Sequence, residues 1–366
     1  MTGTLVLENL KHRPMRTLLS FLLIGVPVTL ILTLVGLTHG MVEDSQQRQR
    51  ASGADIVVRG TNAAAAISFS GATLPEKFVD FLQMQPHVKL AVGMVNHPIE
   101  LPLVVTGIDF QKFSEMSGGF HFLEGGPFRG PDDMIIDRYF AAQRHLHAGD
   151  TTRIMNRPWH ISGVIDGGKL SHIFVPLKVL QELDSSSGKL SQIFLKLDNP
   201  ANTAAVIEQL KQKLGPSYPI WSMEELTSML SVNSIQGVRQ FTLVVVVIGV
   251  VIGFAVVCLS MYMAVLQRTR EIGILKSLGG SNGFILRIIL AEALILGVGG
   301  TALGILLSFG AYWLIQILVP ASIQMAIVTS WWPIALAITL LAAGLGALYP
   351  GLIATRHDPI EALAYE

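Results

Sequence analysis

Four long apolar runs stand out along the chain, at residues 18–37, 241–266, 288–319 and 332–353. An α-helix needs about 20 apolar residues to cross the hydrocarbon core of a bilayer. Each run supplies them, so the pattern predicts four transmembrane helices. The third run is longer than required, which predicts a helix that tilts or extends past the membrane edge. The first is too long for a signal peptide and lacks a small-residue cleavage site, so we expect it to be retained.

Basic residues lie beside particular ends of these runs, at Lys11, Arg13, Arg16, Arg268, Arg270, Lys276, Arg287 and Arg356. Glu43 and Asp44, in contrast, follow the first run. Because short basic loops remain in the cytoplasm, both termini and the second loop are predicted to be cytoplasmic. The predicted order is a cytoplasmic segment 1–16, helix 17–40, an outer segment 41–240, helix 241–266, a cytoplasmic loop 267–287, helix 288–319, an outer loop 320–330, helix 331–353 and a cytoplasmic end 354–366.

The outer segment 41–240 is long enough to bury a core of its own. Short apolar or alternating runs predict strands at 55–59, 101–106, 133–136, 152–155, 160–165 and 192–197. Helical spacing of apolar residues predicts helices at 74–84, 178–183 and 201–214. Residues 41–51 and 223–240 are expected to form helical stalks. The predicted fold class is therefore a four-helix α-helical membrane protein with a mixed α/β domain inserted between helices 1 and 2.

Composition agrees with a membrane location and excludes several classes of site. The chain is 51% hydrophobic and 14% charged, whereas soluble domains carry about 25% charged residues. Its formal net charge is zero, so no overall field favours nucleic acid. Cys258 is the only cysteine, which excludes an intrachain disulfide and a cysteine-based zinc site. We expect Cys258 to act as a small buried apolar residue.

Two motifs in the outer segment suggest chemistry, and both are weak. Gly163, Gly168 and Lys169 have the spacing of a phosphate-binding loop, but Leu170 stands where Ser or Thr would hold magnesium. A strand followed by a turn is the preferred interpretation. His145 and His147 form a His-x-His pair, for which exposed or capping histidines are favoured over a metal or haem ligand set that would need a third member.

Several motifs resemble the FtsX-like permease family, the membrane subunits of ABC systems of the macrolide-exporter (MacB-like) type. The segments that carry the resemblance are QRTREIGILKSLGG at 267–280, YPG at 349–351, DPIEAL at 358–363 and NLKHR at 9–13. The resemblance extends over essentially the whole chain and is loosest within 41–240. It implies a MacB-like periplasmic domain at 41–240 and a coupling segment that contacts an ATPase.

The coupling segment has a chemistry of its own that fits this role. Arg268 and Arg270 would cost about 3 kcal/mol or more each in hydrocarbon, so they hold the loop at the cytoplasmic surface. Apolar side chains between the charges have helical spacing, which suits an interfacial helix or a segment that docks into a partner's groove. The predicted coupling residues are Arg268, Arg270, Glu271, Ile272, Gly273, Ile274, Leu275, Lys276, Leu278 and Gly279.

Small and acidic residues within the apolar runs are the remaining candidates. Gly249 and Gly253 form a small-xxx-small pair in the second run, and Gly300 and Gly304 form another in the third. Such pairs let helices approach closely in lipid. A dimer seam on the second helix and packing within one chain both remain open. Glu292 lies inside the third run, where a structural hydrogen-bonding role is favoured over a role with substrate or protons.

The sequence therefore predicts a non-catalytic membrane subunit. The chain contains no phosphate-binding loop with its Ser or Thr, so ATP and magnesium are expected on a separate ABC ATPase. We expect a permease in the bacterial inner membrane that works as a homodimer or with a paralogous permease, contacts lipid, and exports a periplasmic or outer-leaflet substrate by mechanotransmission. A membrane-fusion protein is a further candidate partner.

Two alternatives remain open at this stage. One is an FtsX-type regulator that controls a periplasmic cell-wall hydrolase and transports nothing, and the other is a receptor without an ATPase. The sequence does not identify the substrate.

Overall fold

A computed structural model of the chain describes residues 14–60, 73–100, 103–230, 236–267, 273–274, 276–321 and 324–356. The chain divides into two compact units. One, here called the helical unit, comprises Met1–His39, Gly237–Leu314 and Met325–Glu366. The other, the sheet unit, comprises Gly40–Gln236 together with Ile315–Gln324.

The α-helices of the described residues are α1 Pro14–Arg50, α2 Phe78–Gln83, α3 Phe110–Ser117, α4 Arg138–Arg144, α5 Leu177–Leu183, α6 Thr203–Leu214, α7 Met223–Met229, α8 Gln236–Gln267, α9 Asn282–Leu318 and α10 Trp331–Arg356. A 3-10 turn, Pro200–Asn202, precedes α6. Helix α1 contributes residues to both units, because the division falls between His39 and Gly40.

Four of these helices, α1, α8, α9 and α10, are long and apolar enough to cross a membrane. Each contains one of the apolar runs found in the sequence, apart from the last residue of the third run, Val319, which follows the end of α9. This confirms the prediction of four apolar helices. Helix α1 continues beyond its apolar run to Arg50, so residues 41–50 of the segment expected to form the first stalk are helical. Within the helical unit, α8, α9 and α10 meet in a cluster that includes Val257, Met261, Ala293 and Ala343.

The sheet unit is built on one ten-stranded mixed sheet. The strands of the unit are β1 Ile56–Arg59, β2 Leu74–Pro75, β3 Val88–Glu100, β4 Leu103–Ile108, β5 Phe122–Gly125, β6 Asp133–Asp137, β7 Thr151–Ile154, β8 Arg157–Ile165, β9 Ile173–Pro176, β10 Lys189–Leu190, β11 Gln192–Leu197 and β12 Ile220–Ser222. The main sheet has the order β12-β1-β11-β3-β4-β9-β6-β8-β5, with β7 also paired to β8. Strands β2 and β10 form a separate pair.

Both faces of this sheet are buried, because apolar side chains alternate between two cores. Ile193 and Leu195 of β11 belong to one core, and Phe194 between them belongs to the other. Successive strand residues point to opposite faces, so an apolar run fills both cores at once. The mixed α/β character expected of the outer segment is confirmed.

The structure corrects some predicted elements. The helix expected at 74–84 is wrong in its first part, where Leu74 pairs with Leu190 in the small sheet and Pro75 would interrupt a helix. Only Phe78–Gln83 is helical. The strand expected at 101–106 continues further, to Ile108, and is described from Leu103, since residues 101 and 102 lie outside the described residues. Strand β3 and the short helices α3 and α4 were not predicted.

Candidate functional site

The predicted coupling segment lies between α8 and α9, and the structure describes part of it. Arg268, Arg270, Glu271, Ile272 and Leu275 lie outside the described residues. The described residues include the remaining predicted members, Gly273, Ile274, Lys276, Leu278 and Gly279.

Ile274 and Leu278 form an exposed apolar pair one helical turn apart. The backbone N–H of Leu278 donates to the carbonyl of Ile274 at 3.1 Å, so the two side chains share one face. Ile274 is 43% exposed and Leu278 is 80% exposed. Apolar anchors at this spacing are those that an amphipathic helix places in a partner's groove.

Lys276 fixes this pair to the end of α10. Its Nζ donates to the carbonyl oxygen of Thr355 at 2.8 Å. Thr355 lies near the C-terminal end of α10, where the negative pole of the helix dipole stabilises a cation. Gly279 then ends the turn with a φ of +89°, which favours glycine. Ser281 precedes α9 and caps its first turn, since its hydroxyl accepts from the backbone N–H of Phe284.

The predicted glycine pair of α9 lies against α1 of the same chain. A Cβ atom on Gly300 would come within 2.5 Å of Ile24 Cγ2, and one on Gly304 within 2.7 Å of Val28 Cβ. The hydroxyl of Thr29 also donates to the Gly304 carbonyl at 3.1 Å. These glycines therefore allow two helix backbones of one chain to come close together.

The two glycines of α8 differ from each other. A Cβ atom on Gly249 would come within 2.7 Å of Ile31 Cδ1 of α1, whereas one on Gly253 would meet no described atom within 4 Å. The dimer seam on this helix stays a prediction. Glu292, the candidate acid of α9, is buried on the same side of that helix as Ile289, Ala293 and Leu296.

In the sheet unit, the predicted phosphate loop has a structural use. Gly163 belongs to β8, and Lys169 Nζ donates to the carbonyls of Ser117 and Gly119 at the end of α3. Burial lowers the pKa of Lys169. The lysine therefore caps the C-terminal end of α3. A phosphate-binding loop would instead precede the N-terminus of a helix.

The two histidines of the predicted pair occupy structural positions in the sheet unit. His145 ends α4 in the left-handed conformation, and His147 Nδ1 lies 3.1 Å from Glu124 Oε1. The backbone N–H of Ala148 and then the His147 side chain lower the pKa of the Glu124 carboxyl. Among the described residues, no group of three or more His, Cys, Asp or Glu side chains is placed to hold a metal ion.

One buried charge cluster was not predicted from the sequence. Arg48, near the end of α1, is 4% exposed and lies between Asp44 and Asp137. Its Nε donates to Asp44 Oδ2 at 2.7 Å and its Nη1 to Asp137 Oδ2 at 3.3 Å. His172 Nδ1 lies 2.7 Å from the same Asp137 oxygen. The spacing of Asp44 and Arg48 is a local signal, but Asp137 is 89 residues away.

The chain combines four bilayer-length apolar helices, a large mixed α/β unit and an exposed apolar turn between two of the helices. The MacB-like periplasmic core domain matches residues 17–213, more than half of the chain, and the FtsX-like permease C-terminal domain matches residues 243–359. The chain therefore belongs to the MacB/FtsX-like permease family of ABC transporters.

Individual relatives are distant in sequence. The macrolide export ATP-binding/permease protein MacB of Salmonella paratyphi A is 24% identical over 323 residues, which cover 78% of this chain and 48% of the relative. MacB of Hahella chejuensis is 26% identical over 389 residues, covering 97% of this chain and 58% of the relative. The chain thus spans about half the length of the curated relatives it matches. The crystal structure of the periplasmic region of MacB from Actinobacillus actinomycetemcomitans aligns with a TM-score of 0.38 at 14% identity, over 50% of this chain and 94% of that one.

Proposed function

We propose that the chain is the permease subunit of an ATP-driven exporter in the bacterial inner membrane, with both termini cytoplasmic. It works as a dimer with separate ABC ATPase chains, and it moves a periplasmic or outer-leaflet substrate by transmitting motion from the ATPases to the sheet unit. ATP and magnesium are bound by the ATPase chains. A membrane-fusion protein is a further partner of such an exporter.

The observation that carries this proposal is the exposed pair Ile274 and Leu278, held to the end of α10 by Lys276. Large apolar side chains exposed outside a bilayer lose the free energy of burial, so their exposure favours a partner that covers them. An ATPase that pushed on this turn would act directly on α10 through Lys276 and on α9 through the chain. Basic residues beside the apolar runs support a cytoplasmic position for the turn.

Binding of the ATPase tests the proposal. The change Leu278→Asp should reduce the amount of a co-expressed ABC ATPase recovered with the purified permease by about tenfold, because an apolar anchor would become a charge in the interface. Asn282→Asp is the matched control, since it adds the same charge four residues along at the exposed start of α9. Equal recovery of the ATPase with both variants would contradict the proposed contact.

Orientation and type of function need separate measurements. In a Cys258→Ala background, a cysteine at Ser277 should be protected from an impermeant thiol reagent in intact spheroplasts, and labelling there would overturn the topology. Deletion of the gene should then impair export while cell separation stays normal. Chained or lysing cells with unchanged export would instead identify a regulator of a cell-wall hydrolase.

A further inference from the structure

The short helix α4 is held at its first turn by α1. Asp137 precedes α4 and is fully buried. Its Oδ1 caps the helix by accepting from the Phe140 N–H at 2.9 Å, while its Oδ2 is shared by Arg48 of α1 and His172. One carboxylate therefore both starts α4 and binds the end of the long helix α1.

Breaking the link between Arg48 and Asp137 is energetically unfavourable. Arg48 is buried, and its Nη2 has no hydrogen-bond partner among the described residues. Moving Arg48 away from Asp137 would leave two buried charges less compensated, which is strongly destabilising. The backbone adds a further link, because the carbonyl of Arg48 accepts from the Leu170 N–H at 3.1 Å. A displacement of this end of α1 is therefore carried to α4.

The last turn of α4 is held by the segment that follows α9. The backbone N–H of Ala321 donates to Gln143 Oε1 at 3.0 Å. Ala321 is buried in the same apolar core as Phe140 and Ala141 of α4. It lies three residues beyond Leu318, the last residue of α9. Two segments continuous with different apolar helices thus bind opposite ends of one seven-residue helix.

Helix α4 follows directly after β6, an interior strand of the main sheet. Asp137 is also the last residue of β6, which pairs with β8 on one side and β9 on the other. The backbone N–H of Asp137 donates to the His172 carbonyl at 2.9 Å, next to β9. A shift of α4 would therefore act on three neighbouring strands.

From this arrangement we infer that α4 is the helix through which α1 and α9 move the sheet unit during the ATP cycle. Arg48, Asp137 and Gln143 are its positioning residues: the first two join α4 to α1, and Gln143 joins it to the segment after α9. This inference rests on the proposed function, because it assumes that an ATPase moves the apolar helices.

Hydrogen exchange on the full permease–ATPase complex tests the inference without a known substrate. In the wild-type complex, binding of the magnesium complex of a non-hydrolysable ATP analogue should change the exchange rate of the α4 amides by about tenfold, a typical size for coupling between two sites. In Arg48→Met this response of α4 should disappear. The response of residues 277–284, next to the proposed ATPase contact, should remain. General destabilisation would not separate the two responses in this way.

Two further variants keep the test decisive if Arg48→Met folds poorly. Gln143→Ala leaves the buried charges paired and removes the bond to Ala321. Asp137→Asn keeps an oxygen for the helix cap but removes the charge. Each should weaken the α4 response. The control is Arg138→Gln on the same helix, because Arg138 makes an exposed ion pair with Asp166 at 3.0 Å and should leave the response unchanged.

The outcomes separate this inference from the proposed function. If the wild-type complex responds at 277–284 and α4 does not respond, or if all positioning variants respond like the wild type, the role of α4 is wrong and the exporter proposal stands. If the chain forms no nucleotide-responsive complex with the ATPase, the proposed function itself fails.

Discussion

The two units place their large apolar side chains in opposite ways. In the sheet unit, residues such as Phe194, Trp159 and Met134 are almost completely buried. In α8 of the helical unit, only 6% of the residues in the most apolar 18-residue stretch are buried, whereas 44% are buried in the corresponding stretches of α1 and α9. Burial of apolar surface from water drives the folding of the sheet unit. Lipid is as apolar as leucine, so the helices instead approach where glycines permit close contact.

The largest effect is expected in the core of the sheet unit. Phe194→Ala should lower the free energy of unfolding of this unit by about 3–5 kcal/mol, because it removes a buried ring from a central strand and leaves a cavity. Pulse proteolysis of the full chain across a urea series, with cleavage followed within the sheet unit, measures this change. Met84→Ala is the control, since Met84 is 76% exposed. A similar loss of unfolding free energy in both variants would contradict the view that buried apolar side chains stabilise the sheet unit.

A smaller effect is expected where α1 and α9 meet. Gly304→Ala should cost about 1–3 kcal/mol through overpacking, because the new methyl group would meet Val28 and the carbonyl of Gly25. Gly253→Ala adds the same group where no described atom lies within 4 Å, so it should be tolerated. Thermal unfolding in detergent compares the pair. A clear loss of thermal stability in Gly253→Ala but not in Gly304→Ala would contradict this prediction, because the contacts within the chain are crowded only at Gly304.

A fall in pH should lower the stability of the sheet unit through protonation of Asp133. Burial acts to raise the pKa of this carboxyl, but hydrogen bonds from the Arg129 N–H, the His160 ring and the Gly130 N–H outweigh it and lower the pKa. The ionised form therefore stabilises the folded state above the unfolded pKa of about 4, and this contribution is lost as pH falls through the folded pKa. Urea midpoints followed from neutral to acid pH should fall less steeply for Asp133→Asn than for the wild type.

The smallest effect is expected on the open side of α8. Leu259 is 65% exposed, so Leu259→Ala should change stability in detergent by about 0.5 kcal/mol or less. The measurement is the thermal unfolding midpoint of the purified chain. A loss as large as that of Gly304→Ala would mean that Leu259 is covered by a second chain in the detergent-solubilised protein.

Sequence patterns predicted the elements whose signals are local and long. A run of 20 or more apolar residues has few alternatives to a helix, and the apolar strand β11 was found because turn residues bound it. Strand β3 was missed because Gly93 and Pro98 suggest a loop. In the structure, Gly93 makes room for Leu190, whose Cδ1 would lie 2.3 Å from a Cβ atom at that position. Helix α4 was missed because it is short, although Asp137 is a favoured N-cap residue.

The candidate site was predictable to a similar extent. Charge and helical spacing placed Ile274 and Leu278 within a predicted segment of ten coupling residues, and the coupling role itself came from the resemblance to the permease family. The contact between Lys276 and Thr355 joins residues 79 positions apart, and that between Gln143 and Ala321 joins residues 178 apart. No local pattern specifies such pairs, because they depend on how the completed fold brings distant segments together.

The bond between Lys276 and the Thr355 carbonyl also bears on how the protein should be handled. A fluorescent or affinity fusion inserted shortly after this carbonyl would emerge beside Ile274 and Leu278 and would compete for space with anything that binds them. Reporter domains are better placed away from this end of α10.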